Sequence, residues 1–489
     1  MRARIFAEET RKWFTLAAVA FGLFMIMLDN TVVNVALPSI QRDLGSDLSE
    51  LEWIVTGYAL TFAALMLIGG KVADAYGRRL IFVVGIAVFT LASLWCGLAT
   101  SGDMLITARV AQGVGAALMS PATLSIIAAT FPPRERGMAI GIWAGVSALA
   151  LAIGPLVGGL ITEHLDWSWI FFVNVPVGIL GIAASFIFID ESRDETHERL
   201  DIPGLLTSAL GLFSLTYALI EANTYGWTSP RILGAFAVAA AALVSFVLLE
   251  RHQRAPMLPL ELFKNRTYTG ANSVVLLVAL AMFGVFFFVS LYMQQVLEYS
   301  AVQTGAAFLP MTVLIILVAP IAGKTSDRIG SRSLMTTGMV LISVQLLYLS
   351  TLSQDSTFWS LLPAFLVGGV GMGLTMTPSA AAATRGVSVD KAGVGSAVLN
   401  AARQVGGAMG IAVMGAIIAH EAGGERPPVG AALSDAEEAA FKAAFMDGFQ
   451  SALLVAAVIA IAGAIVAFVL VRPHERGEPV APGAAELAA

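Results

Sequence analysis

The chain has 489 residues, of which 57% are hydrophobic and only 13% charged, against roughly a quarter charged in soluble domains. That excludes a soluble fold and leaves a membrane protein. The 28 basic and 34 acidic residues give a net charge of −6, which argues against a nucleic-acid partner.

Apolar runs of about 20 residues, the length that crosses a bilayer as a helix, recur between charged or turn-rich breaks. Residues 1–12 are charged. The run 13–37 is too long for a signal-peptide core and reads as the first membrane helix. Fourteen spans are expected in all: 13–37, 53–70, 80–100, 104–128, 138–161, 169–189, 202–221, 231–250, 268–293, 304–323, 334–352, 359–380, 395–419 and 450–471. Basic residues collect in short cytoplasmic loops. With the N-terminus inside, 22 of the 28 Lys and Arg fall in inside segments and only Arg42, Arg231, Arg426 and Lys442 outside. Both termini are therefore expected in the cytoplasm of a cell whose inner membrane holds the chain.

A repeat divides the chain. Gly70–Arg79 reads G-K-V-A-D-A-Y-G-R-R and Gly323–Arg332 reads G-K-T-S-D-R-I-G-S-R, with five of ten positions identical at an offset of 253. Both copies are expected in the same cytoplasmic helix-to-helix loop, which indicates two halves related by an axis along the membrane normal. The expected organisation is a six-helix bundle over 1–192, two added helices over 193–262, a second six-helix bundle over 263–476 and a tail over 477–489. Segment 433–449 has an amphipathic pattern, with Phe441, Phe445 and Phe449 spaced by four, and is expected at the outer interface.

Charges inside spans are costly, at about 2.5–3.5 kcal/mol on insertion scales, and are functional candidates by default. Asp29 stands in the first span within L-D-N-T-V-V-N-V-A-L-P, beside Asn30 and Asn34. A carboxyl buried there can load and release protons. Arg109 in the fourth span, L-I-T-A-R-V-A-Q-G-V-G-A-A, lies at comparable depth, so the two are expected to pair, with Gln112 on nearly the same helix face. In the fifth span, A-L-A-I-G-P-L-V-G-G places Pro155 to bend the helix and Gly154, Gly158 and Gly159 to admit close packing. The thirteenth span carries Asn400, Arg403 and Gln404 on one flank. Glu221 and Glu298 sit at outer helix ends and are expected in the interface.

These motifs resemble the major facilitator superfamily, and within it the fourteen-span drug:proton antiporter family. The resemblance implies an all-α polytopic membrane protein of the facilitator fold. It assigns the repeated loops, Gly70, Lys71, Asp74, Gly77, Arg78 and Arg79 with Gly323, Asp327, Arg328, Gly330 and Arg332, to a cytoplasmic gate. Ala75 stands where the family usually has Arg. It assigns proton coupling to Asp29 and Arg109, and marks the fifth-span motif as that of antiporters, with Ala150 replacing its first Gly. The function implied is proton-coupled export of hydrophobic, often cationic, compounds. A dedicated exporter of one self-made metabolite or lipid is the alternative, and a membrane sensor that transports nothing is a more distant one.

Asn30, Asn34, Tyr58, Phe62, Gln112, Phe283, Phe287, Tyr292 and Gln295 are the expected lining of an apolar, deformable cavity. Partners are then small hydrophobic substrates, protons and membrane lipids, with the chain acting as a monomer. One cysteine, Cys96, excludes an intramolecular disulfide and a Cys-based zinc site. No G-x-x-x-x-G-K-[ST] loop or catalytic cluster is present, so no cofactor, metal or enzyme activity is expected.

Overall fold

The structure is a computed structural model describing residues 8–193, 201–253, 256–385, 392–421 and 435–472. The described residues form α-helices with short connections and no strand. The helices are α1 Glu8–Leu44, α2 Leu48–Tyr76, α3 Arg78–Gly97, α4 Gly102–Thr130, α5 Pro133–His164, α6 Trp169–Phe172, α7 Asn174–Phe188, α8 Ile202–Tyr225, α9 Pro230–His252, α10 Arg266–Leu291, α11 Ala301–Ala307, α12 Leu309–Ile329, α13 Ser331–Leu349, α14 Phe358–Arg385, α15 Ala392–Glu421 and α16 Asp435–Leu470. Twelve helical segments are long and apolar enough to cross a membrane, and α2, bent by 51° near Met66, makes a thirteenth. The sequence leads one to expect fourteen; α5, with 32 residues, is the one other long helix among the described residues.

Helices α1–α7 pack on one another, as do α10–α16. Between these two bundles α8 and α9 form a hairpin, with α8 resting on both α2 and α15. Large apolar side chains of α9, among them Leu233, Val244 and Leu248, are exposed, which suits a helix facing lipid.

Two expectations need correction. The repeated decapeptides are not loops, because α2 and α12 stay helical through Tyr76 and Ile329. Apolar content marks where a helix leaves the hydrocarbon, and a helix does not have to end there. Only one residue breaks each, Gly77 (φ 124°) and Gly330 (φ 84°), in left-handed backbone that glycine alone tolerates cheaply. The amphipathic segment likewise forms no separate interfacial helix. From Asp435 onward it is the first part of the unbroken 36-residue α16. Phe445 and Phe449 are buried, and Phe449 stacks on Tyr292 of the second bundle with ring centroids 5.1 Å apart. Residues 433 and 434 lie outside the described residues.

The end of the molecule carrying Gly77 and Gly330 is called here the repeat end, and the opposite one the far end. At the repeat end Lys12 on α1 bonds Glu135 on α5 at 2.6 Å, and Arg11 pairs with Asp190 after α7. The bonds joining described residues of the two bundles gather instead at the far end. Ser290 Oγ donates to the Asn34 carbonyl at 3.0 Å, Gln294 to the Val35 carbonyl at 3.0 Å, and Gln295 to Gln41 at 2.7 Å. Glu163 of α5 accepts from the Val302 amide at the start of α11 at 2.9 Å. The far side is sealed.

Candidate functional site

The most polar point inside the first bundle is built by α1, α2, α3 and α4. Asp29 and Arg109 are 3% and 1% exposed, so their groups must satisfy each other. Arg109 Nη1 lies 2.5 Å from Asp29 Oδ2 and 2.5 Å from Gln112 Oε1, and its Nε donates to the Ile54 carbonyl at 3.0 Å. Gln112 Nε2 donates to Asp29 Oδ1 at 2.9 Å and to Ser93 Oγ at 2.8 Å. Asn174 of α7 reaches the same Ser93 oxygen at 3.4 Å. The guanidinium stands 4.2 Å over the ring of Tyr58 and 5.8 Å from that of Phe171, a cation–π arrangement worth most when dry. Both carboxylate oxygens are thus engaged, and the pair is one node tying four helices together.

The structure brings Asp29, Arg109, Gln112 and Tyr58 into this node, with Phe62 packed near Tyr58 at a centroid distance of 6.0 Å. Asn30 and Asn34 turn back onto their own helix, donating to the carbonyls of Ile26 and Asn30. The remaining residues expected around a cavity lie apart from the node. Phe287 is in the core of the second bundle, and the Tyr292 hydroxyl donates to the Ser353 carbonyl at 2.6 Å. Gln295 belongs to the far-end seam, and Phe283 packs over Gly407. Phe21 and Phe24 face an apolar groove of about 450 Å³ between α1 and α5.

The fifth-span motif is a three-way junction. A Cβ on Gly154 would collide with Thr31 of α1, and one on Gly158 would lie 2.8 Å from the Val32 carbonyl oxygen. A Cβ on Gly159 would lie 2.4 Å from the Ala301 carbonyl oxygen, while Gly305 of α11 sits under the Pro155 carbonyl. The motif therefore closes the seam to α11 while anchoring α1 beside Asp29.

In the first repeat Asp74 pairs with Arg78 one turn on at 2.7 Å, and Arg79 approaches Glu191 at 3.8 Å. Lys71 reaches the Pro256 carbonyl, 3.2 Å away, in the segment after α9. Gly70 lies 3.5 Å in Cβ terms from Pro121 of α4. In the second repeat Gly323 abuts Thr377, Arg328 is exposed, and Arg332 lies 4.0 Å over Phe468. The Asp327 side chain lies outside the described side chains.

On α15, Arg403 is partly buried and Gln404 wholly so, with Asn400 a turn before. Glu221 accepts from Trp53 at 3.4 Å, and exposed Glu298 pairs with Lys442 at 2.7 Å.

Sequence reasoning missed Ser93, Asn174 and the Ile54 carbonyl, all neutral groups without a charge signal. It also missed Glu52, 3% exposed, whose carboxyl lies against Gly415 of α15 across the seam. An acid just inside the start of α2 was discoverable had that span been begun at its helix cap, where Asp47 and Glu50 form a capping box.

Residues 19–411 match the Major Facilitator Superfamily. The chain belongs to that superfamily. It is a multi-pass membrane transporter. Among its relatives, a puromycin resistance protein of Streptomyces alboniger is 40% identical over 84% of this chain and 82% of its own. A tetracenomycin C resistance and export protein of Streptomyces glaucescens is 36% identical over 84% of this chain and 77% of its own. The multidrug resistance protein Stp of Mycobacterium tuberculosis is 36% identical over 83% and 75%. In fold the chain is similar to the crystal structure of a bacterial homologue of the human lysosomal transporter Spinster, with a TM-score of 0.66 and 17% identity over 94% of this chain and 97% of that one.

Proposed function

We propose that this transporter exports hydrophobic drug-like compounds in exchange for protons, as a member of the fourteen-span antiporter family. In this reading it works as a monomer in the cytoplasmic membrane with both termini inside, so that the repeat end faces the cytoplasm. The names of its relatives support drug export. The basic residues crowding the repeat end support the orientation.

The observation that carries proton coupling is the buried Asp29–Arg109–Gln112 node. With the far side sealed, both carboxyl oxygens of Asp29 are hydrogen-bonded and held against Arg109 and Gln112. Opening the far side to water admits a proton to Asp29, which removes the negative partner and frees the node to rearrange. Release of that proton to the cytoplasm restores the ion pair. Substrate then biases the bundles toward far-side opening, and each ligand must bind the two states unequally for the exchange to run. Gly154, Pro155, Gly158 and Gly159 hold the far seam shut, and the two repeats act at the cytoplasmic gate.

The test is efflux of a fluorescent drug from proteoliposomes with and without an imposed proton gradient. Asp29→Asn is expected to insert normally and lose the gradient-driven component by at least about tenfold. Gradient-driven efflux equal to that of the unaltered protein would refute the assignment.

A further inference from the structure

Arg403 is the charge that the node does not absorb. It lies 11 residues into α15 from Ala392 and 18 before Glu421, about 16 Å and 27 Å along the helix. That is deep within a hydrocarbon layer about 30 Å thick. A lone cation there is expensive and needs an anion or a dense set of acceptors.

Among the described residues neither is supplied by its neighbours. Glu52 lies against Gly415, and Ala59 and Leu60 pack with Ala408, so Arg403 stands level with about residue 64 of α2. The nearest acids on α2, Glu52 and Asp74, are then about ten or more residues away, roughly 15 Å. Helices α10 and α14, also packed on α15, contain no acidic residue, and the acids of α4, α8 and α16 belong to their far-end turns. Arg403 Nε is buried with no hydrogen-bond partner among the described residues, and the same holds for Gln404 Nε2. The Arg403 side chain as a whole remains partly exposed. Two donors on one turn, one of them charged, thus lack a hydrogen-bond partner among the described residues, on a side chain whose remainder is partly exposed.

We propose that Arg403, assisted by Gln404, binds the ionised acidic group of a transported compound, so that lipophilic monoanions such as carboxylates and acidic enols or phenols are substrates. This rests on the export reading above. It departs from the sequence expectation of mainly cationic cargo, for a physical reason. Asp29, the group that would attract a cation, is already saturated by Arg109 and Gln112, whereas the unpaired interior charge is positive. A guanidinium suits the role because its planar fork takes a carboxylate through two charge-assisted bonds. Bound substrate then supplies the counter-ion that the helices around α15 lack.

The experiment uses the full chain in proteoliposomes with three probes: a fluorescent lipophilic carboxylate, its methyl ester and a lipophilic cation. The unaltered protein is expected to move the acid with a KM about tenfold below that of its ester. Arg403→Gln is expected to raise the KM for the acid by about tenfold or more while ester and cation stay within about twofold, and Arg403→Lys to fall between. Equal handling of acid and ester by the unaltered protein overturns the proposal without needing any variant. An equal loss of all three probes in Arg403→Gln also overturns it and makes Arg403 a packing residue. If the unaltered protein moves none of the probes, the export reading fails instead.

Discussion

Replacing Gly305 with alanine isolates the far-end seam. The added Cβ would lie 2.2 Å from the Pro155 carbonyl oxygen, 2.7 Å from its carbon and 3.1 Å from the Leu156 Cα. All three are backbone atoms of α5, so no side chain can swing away and α11 must retreat by about an ångström to restore ordinary contact. Overpacking of this kind costs about 1–3 kcal/mol. An opening that parts α5 from α11 relieves this cost, so the cost weighs on the sealed arrangement. The sealed-to-open ratio should then drop by about 5- to 150-fold. The readout is the distance distribution between spin labels on cysteines introduced at Arg42 and Gln303, exposed positions on either side of the seam. Gly145→Ala on the same α5 is the control, since a Cβ there meets nothing within 4 Å. A Gly305→Ala distribution indistinguishable from that of Gly145→Ala would show that the seam does not set the conformational balance.

Two other predictions rest on local geometry. Gly77→Ala and Gly330→Ala should each lower thermal stability, by roughly 1–3 kcal/mol, because an L side chain is strained at their positive φ. Gly70→Ala, whose Cβ would find its nearest neighbour at an ordinary 3.5 Å, should not, and equal melting shifts for the three would refute the strain argument. At Glu298 the Lys442 ammonium, by hydrogen bond and charge, holds the carboxyl below its ordinary range. A depressed carboxyl contributes stability above its unfolded value of about 4.3 and loses it as pH falls through the folded one. Glu298→Gln should therefore flatten a small acid-side slope in the melting temperature, and an identical slope in both proteins would count against the pairing.

The node's charged members were legible because an Asp and an Arg in apolar runs are conspicuous, and counting residues from the span ends put them at similar depth. Gln112 followed from helical spacing. Ser93 and Asn174 were not legible, since a small neutral residue in an apolar helix carries no sign of which neighbour it meets. Gly159 read as a packing glycine, yet that it meets the Ala301 carbonyl at the start of α11 is a tertiary fact. The first turns of α16 were misjudged for a different reason: Phe445 and Phe449 gave the right stripe, but periodicity says which face is apolar and not whether protein or lipid covers it. Arg403 was seen, while its lack of a counter-charge could be known only from the registers of the helices around it.

The only thiol in the chain, that of Cys96, is buried 3.8 Å from Gln112 Oε1. It thus packs against Gln112, a side chain that holds Asp29, within the apolar core around it. A thiol reagent can reach it only when the packing around it opens, so the rate at which the native chain is alkylated is a clock for the loosening of the core beside the node. No mutation is needed to read that clock, and its dependence on external acidity and on added substrate reports how each ligand moves the node.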